Sequence, residues 1–125
     1  MALISFSKFL NEIECGAKTQ IIRPPKIVPI EQGDHLYLYW MPHSPKDKKK
    51  IGESTCIKIT PVVINEDYIE VGGEILDYHP QTECFAQSHG FKSWDEMRES
   101  CRPSFWQPLV IIEWEYPFLK GSQLI

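Results

Sequence analysis

Lys18, Thr19, Gln20 and Arg23 lie close together in the stretch Gly16-Ala17-Lys18-Thr19-Gln20-Ile21-Ile22-Arg23-Pro24-Pro25. An ammonium, a hydroxyl, an amide and a guanidinium in so short a segment suit an anion or a nucleobase. Lys18 supplies a point charge, and the planar fork of Arg23 matches a phosphate or a base edge. Pro24 biases Arg23 toward an extended backbone, so the arginine loses less freedom on meeting a partner. The plainer reading is a surface lysine and an arginine salt-bridged to a neighbouring strand.

A second set of groups lies in His35-Leu36-Tyr37-Leu38-Tyr39-Trp40. Strand alternation places His35, Tyr37 and Tyr39 on one face and Leu36, Leu38 and Trp40 on the other. A tyrosine-lined face stacks nucleobases, at roughly 1–3 kcal/mol per base, or is simply a second packed face of a small barrel. The run Lys46-Asp47-Lys48-Lys49-Lys50 reads as a solvated loop, or as a basic arm beside a pocket. His79, Cys84 and His89 invite a metal reading. On a helix, however, five residues turn about 500°, so successive side chains diverge by about 140°. The set also lacks the tight pairs of zinc motifs. No metal site and no cofactor are expected.

The elements that must position these groups are legible in pattern. Phe6, Phe9, Leu10 and Ile13 form an apolar stripe at helical spacing. Residues 5–15 are therefore expected to be a helix, capped by Ser5 and ended by Gly16. Residues 18–23 read as extended and 26–34 as a loop closing in Gln32-Gly33-Asp34. His35–Trp40 reads as a strand, 41–53 as a loop and Ser54–Ile64 as a long strand, with Pro61 marking an edge or a bend. Gly72-Gly73 joins a hairpin between Tyr68–Val71 and Glu74–Asp77. Pro80 opens a helix through Ser88, which Gly90-Phe91 ends. Ser93 with Glu96 three residues on is a capping box, opening a helix to about Cys101. Leu109–Trp114 is the last strand, apolar enough to be buried on both faces. Helix, several strands, two short helices and a strand make an α+β chain without regular crossovers. A small mixed or antiparallel barrel with helices at its mouth is expected.

At 125 residues the chain reads as one domain, 1–125, with room for its own core. No apolar run approaches a membrane span, and the acidic residues Glu12 and Glu14 argue against a signal or transit peptide, so a cytoplasmic protein is expected. Cys15, Cys56, Cys84 and Cys101 are widely spaced and read as mostly buried, reduced thiols. The net charge of −4 argues against a generic nucleic-acid binder. Its distribution is uneven, with eight bases against four acids over 18–58 and nine acids against two bases over 66–99. One positive surface is compatible with that balance, as are two solvated faces of opposite sign.

On these residues the chain resembles an ASCH domain, a branch of the PUA-like barrel superfamily. The carriers are an amphipathic segment before Gly16-Ala17-Lys18, the hydroxyl-bearing stretch ending at Arg23, and the Gly33-Asp34 turn into a strand. Ile51-Gly52-Glu53 and the Cys56 strand resemble one subgroup, related to acetylcytidine amidohydrolases. The joint Ala86-Gln87-Ser88-His89-Gly90-Phe91 through Met97 and the closing strand also fit. The resemblance implies a pocket facing RNA or a modified nucleoside. In the amidohydrolases it implies a lysine, a threonine three residues later and a glutamate before the Gly-Phe joint. Here Lys18 stands at the first position, Ile21 at the second and His89 at the third, with Thr19 near by in sequence. Lys18, His89 and Thr19 are thus the catalytic candidates. His89 serves there as an acid or base, or is an exposed helix-end histidine. Whether the chain is an enzyme is left open.

The leading expectation is a binding module for single-stranded RNA or a modified nucleoside. Lys18 and Arg23 would line a cleft near the His89 joint, with Tyr37, Tyr39 or Trp40 as stacking walls. The alternatives are a hydrolase acting on a modified nucleoside or on RNA, and a protein-interaction domain that keeps the fold.

Overall fold

The longest element is a sixteen-residue strand, Lys49–Ile64. In chain order the elements are β1 (Ala2–Phe6), α1 (Leu10–Glu14), β2 (Gln20–Arg23), β3 (His35–Trp40), β4 (Lys49–Ile64), β5 (Ile69–Val71), β6 (Glu74–Leu76), α2 (His79–Ser88), α3 (Trp94–Cys101) and β7 (Leu109–Trp114). The computed structural model describes residues 2–26, 29–41 and 48–119. These form two compact units. The first draws on Met1–Gln20, Val28–Ile59 and Ile112–Ile125, the second on Ile21–Ile27 and Thr60–Ile111. The class is α+β with mixed strand pairing, as the pattern of elements implies.

In the first unit β1 runs parallel to β3, with Ile4 opposite Leu38 and Phe6 opposite Trp40. This overturns the expected helix over 5–15 and its Ser5 cap. Ile4 and Phe6 alternate into the core while Leu3 is exposed, so residues 2–6 obey a period of two that the helical stripe concealed. A parallel partner more than thirty residues away decided the outcome, and no local preference encodes it. Only Leu10–Glu14 is helical, and Phe9 at its start takes a left-handed φ of 66°. Gly16 does end this segment at a positive φ, of 84°.

β3 pairs antiparallel with the start of β4. Leu38 faces Gly52 but Tyr39 faces Lys50, so Ile51 is an extra residue on β4, a β-bulge. Residues 49–53 were expected to be loop, and they are strand instead. The rest of that expected loop, 42–47 with Lys46 and Asp47, lies outside the described residues, as do 27 and 28 of the 26–34 loop. Lys49 and Lys50 lack strand propensity, but they pair with Trp40 and Tyr39, and the β3 ladder extends β4 through them.

In the second unit Val62–Ile64 of β4 pair with β5, and β5 with β6 through the Gly72-Gly73 hairpin. Pro61 falls between the stretch of β4 paired with β3 and the stretch paired with β5, and its carbonyl accepts from the Gly72 N–H at 2.8 Å. Val62, Ile64, Ile69, Ala86, Trp94, Met97, Leu109 and Ile111 form its core. Ser93 caps α3 by accepting from the Glu96 N–H at 3.1 Å, and the Glu96 carboxylate accepts from the Lys92 N–H. This is the expected box, displaced by one residue on its return leg. β7 pairs with both β2 and β4. Four of its six residues are buried, the fate expected of so apolar a run. All four cysteines are free, and Cys15 and Cys84 are exposed, contrary to expectation. No helix among the described residues is long and apolar enough to cross a membrane.

Candidate functional site

Lys18 is half-buried and comes from the first unit, at the exit of α1. Its backbone N–H donates to the Glu12 carbonyl at 2.9 Å. Its ammonium lies 4.8 Å from the centre of the Phe9 ring, a cation–π contact in which the ring replaces part of the lost water. Burial lowers the Lys18 pKa, and the nearby Glu12 partly offsets this. Thr19, the next residue, has different surroundings. It lines an open cleft of about 600 Å³ with Gly16, Ile57, Trp114, Glu115 and Tyr116, and its carbonyl accepts from the Trp114 N–H at 3.0 Å. Among the described residues no hydrogen bond joins the Thr19 hydroxyl to the Lys18 ammonium.

Arg23 and His89 belong to the second unit. Arg23 ends β2, half-buried, and burial lowers its pKa. His89 corrects the expectation of an exposed helix-end residue. It follows the last turn of α2 with its ring against Phe85, at 4.5 Å between centroids, and only 6 % of it is exposed. Gly90 takes a positive φ of 91°, which turns the chain sharply, and the Phe91 N–H returns to the Ala86 carbonyl. An opening in this unit, about 290 Å³, is lined by Glu66, Asp95, Arg98, Glu99, Arg102 and Phe105. Its arginines are matched within one helical turn, Arg98 by Asp95 and Arg102 by Glu99. Among the described residues no group of three or more His, Cys, Asp or Glu is placed to hold a metal.

The densest set of chemical groups lies on the outward face of β3 and β4, in the first unit. Leu36 and Leu38 are buried, which turns His35, Tyr37 and Tyr39 to the half-buried opposite face, away from Trp40. Cross-strand pairing sets Tyr37 opposite Glu53 and, beyond the bulge, Tyr39 opposite Lys50. The Glu53 carboxylate holds two partners. One oxygen lies 2.6 Å from His35 Nε2, and the other takes the Lys50 ammonium. Lys50 lies 5.6 Å from the centre of the Tyr37 ring and Lys48 lies 4.9 Å from that of Tyr39. His35 and Tyr37 meet edge to face at 4.8 Å.

Bonding to Lys50 and then to His35 holds the Glu53 pKa below the ordinary carboxylate range, and Glu53 in turn raises that of Lys50. Glu53 therefore contributes stability above its unfolded-state pKa, and that contribution is lost as pH falls through its lower folded-state value. The expected result is a melting temperature that falls on acidification below about pH 4.3 less steeply in Glu53→Gln than in the native chain. Parallel curves would show that the carboxylate is not held. The lysine, the tyrosines and the strand were legible in sequence. The Glu53 bridge was not, because it depends on the register and the bulge.

No protein-family model matches the chain, and neither a curated protein nor a solved structure is similar to it at a meaningful level.

Proposed function

We propose that the chain binds single-stranded RNA or a modified nucleoside on the β3–β4 face, as a PUA-like module of the ASCH type. The observation that carries this reading is the pair Tyr37 and Tyr39, two residues apart on one strand, each with a lysine ammonium against its ring. Sheet-borne aromatics that each take one base are a recurrent solution to single-strand recognition. The lysines add the cations that follow a phosphate backbone, and their flexible stems let them leave the rings when phosphate arrives. This local arrangement reconciles nucleic-acid binding with a net charge of −4, because Lys48 and Lys50 lie beside the tyrosines.

The test is a fluorescence titration with a short single-stranded RNA at several salt concentrations, using the native chain and single variants. Tyr37→Ala is expected to weaken binding by about 1–3 kcal/mol, the value of one stacked base. Lys48→Ala and Lys50→Ala are each expected to lower the slope of log affinity against log salt by about 0.7. Binding that is insensitive to all three variants moves the site elsewhere. No binding at low salt ends the nucleic-acid reading and leaves the protein-interaction alternative.

A further inference from the structure

We infer that Tyr68 and Trp106 form an aromatic corner that binds a methylated ammonium, the group carried by a trimethyl-lysine side chain or by a choline-type small molecule. Both belong to the second unit, and neither is among the residues proposed to bind RNA. Three observations carry the inference. First, the two rings stand almost at right angles, with planes 87° apart and centres 5.9 Å apart. Where the edge of one ring abuts the other, the free faces make two walls of one corner, and a cation seated there can lie over both. Trp106 is 62 % exposed, so its ring is open to a ligand.

Second, both aromatics are held by Ile64, the last residue of β4, and by Asn65 after it. The Trp106 N–H donates to the Ile64 carbonyl at 2.9 Å, and the Asn65 N–H donates to the Tyr68 carbonyl at 3.2 Å. The side-chain oxygen of Asn65, a buried residue, accepts from the Asp67 and Tyr68 N–H groups at 2.9 and 3.0 Å. Trp106 also takes a left-handed φ of 66°, which a bulky L-residue rarely adopts. A lone exposed tryptophan needs no explanation. One held on strained backbone does, because strain of this kind collects at ligand clamps.

Third, the surroundings are acidic. Asp67 adjoins Tyr68 in sequence, and Glu66 lines the opening of about 290 Å³ together with Phe105, the neighbour of Trp106. Among the described residues neither carboxylate is in an ion pair. Arg98, which also donates to the Glu66 carbonyl, and Arg102 are matched by Asp95 and Glu99. Over 66–99 nine acids stand against two bases, which favours a positive ligand over an anionic one. The shape of the corner selects among cations. A planar guanidinium stacks on one ring face and gains little from a second wall at right angles. A bare ammonium is strongly hydrated, and ring faces return few of the hydrogen bonds it gives up. A methylated ammonium is rounded, presents apolar methyls to both rings and keeps its charge.

The experiment follows the N-methyl proton signals of choline and of an N-acetylated trimethyl-lysine amide by NMR as the full chain is added at low salt. The controls are the matching unmethylated lysine amide and the neutral isostere of choline, with carbon in place of nitrogen. At least one of the two methylated cations is expected to bind about tenfold tighter than its own control. Tyr68→Ala and Trp106→Gly are each expected to weaken that binding by about tenfold, and Tyr68→Phe to keep it because the ring face remains. Glycine suits the left-handed backbone at 106, so Trp106→Gly should fold, and thermal melts of each variant check this. Glu66→Gln with Asp67→Asn is expected to weaken the cations a few-fold and to leave the neutral isostere unchanged. Tighter binding of the trimethyl-lysine amide assigns the corner to a protein side chain, and tighter binding of choline assigns it to a free small molecule. Failure of both cations to bind overturns the inference. So does a neutral isostere that binds as tightly as choline, an unmethylated lysine that binds as tightly as its trimethylated form, or binding that survives Trp106→Gly in a folded chain.

Discussion

Trp114→Ala is expected to destabilise the protein by about 3–5 kcal/mol, the usual cost of deleting a buried Trp or Phe ring. Trp114 closes β7 with 1 % of its surface exposed, and its ring meets the edge of Phe6 at 5.6 Å. Alanine removes the aromatic contact and leaves a cavity that strands on fixed registers cannot collapse to fill. A typical domain has only about 5–15 kcal/mol of stability, so much of it would be lost. The backbone bond from the Trp114 N–H to Thr19 stays in place, so the loss is one of packing. Trp114→Phe makes the sharper test. The indole N–H is buried without an acceptor among the described residues, and an unpaired buried donor costs about 1–3 kcal/mol. Phenylalanine gives up ring volume but also discards that donor, so its net effect is expected to be under about half that of alanine. Urea denaturation of the two variants decides the matter. Equal losses would mean the indole nitrogen is satisfied, and a loss below about 1 kcal/mol for alanine would mean the ring is not core.

Gly52→Ala is expected to cost more than Gly16→Ala, although Gly16 has the more unusual backbone. A Cβ at Gly52 would lie 2.6 Å from the Phe118 ring, which is 8 % exposed. Gly52 sits beside the bulge on β4, and its backbone is held by pairing with Leu38. Phe118 must therefore leave its place, giving up a burial worth about 1.5–3 kcal/mol for a large apolar side chain. At Gly16 the Cβ would lie 2.5 Å from Tyr116, but that ring is 43 % exposed and its neighbourhood opens to the cleft. It can swing outward at small cost. What remains is the positive φ of 84°, which costs an L-residue about 1–2 kcal/mol. Thermal or urea unfolding of both variants orders them. Gly52→Ala combined with Phe118→Leu should recover part of the loss, because the smaller side chain makes room for the methyl. If the double variant is no better than Gly52→Ala alone, the clash is not with Phe118.

The elements whose signals are short-range were legible. The Gly72-Gly73 hairpin, the Pro80 helix, the Ser93 box and the alternation of β3 and β7 each depend on contacts within a few residues, or on one buried face, and each stands where its pattern put it. The misreadings share one cause. Phe6 belongs both to the helical stripe of 6–13 and to the strand alternation of 2–6, and pairing with β3 selected the strand. Lys49 and Lys50 look like loop and are strand for the same reason. His89 looks like an exposed helix end and is buried, because Phe85, one turn earlier, lies against its ring.

The candidate site divides in the same way. The sequence alone determined that Lys18 follows a turn at Gly16 and that His35, Tyr37 and Tyr39 share a face. It also determined that bases outnumber acids over 18–58 and acids outnumber bases over 66–99. Glycine conformation, strand alternation and composition are local properties, and they survive whatever the chain packs against. Only the tertiary structure decided that Ile51 bulges, that Glu53 therefore meets both His35 and Lys50, and that Lys18 lies against Phe9 while Thr19 faces a different cleft. The bulge and the Glu53 bridge are set by which residues stand opposite one another across β3 and β4. A one-residue shift of register would turn every one of those side chains to the other face.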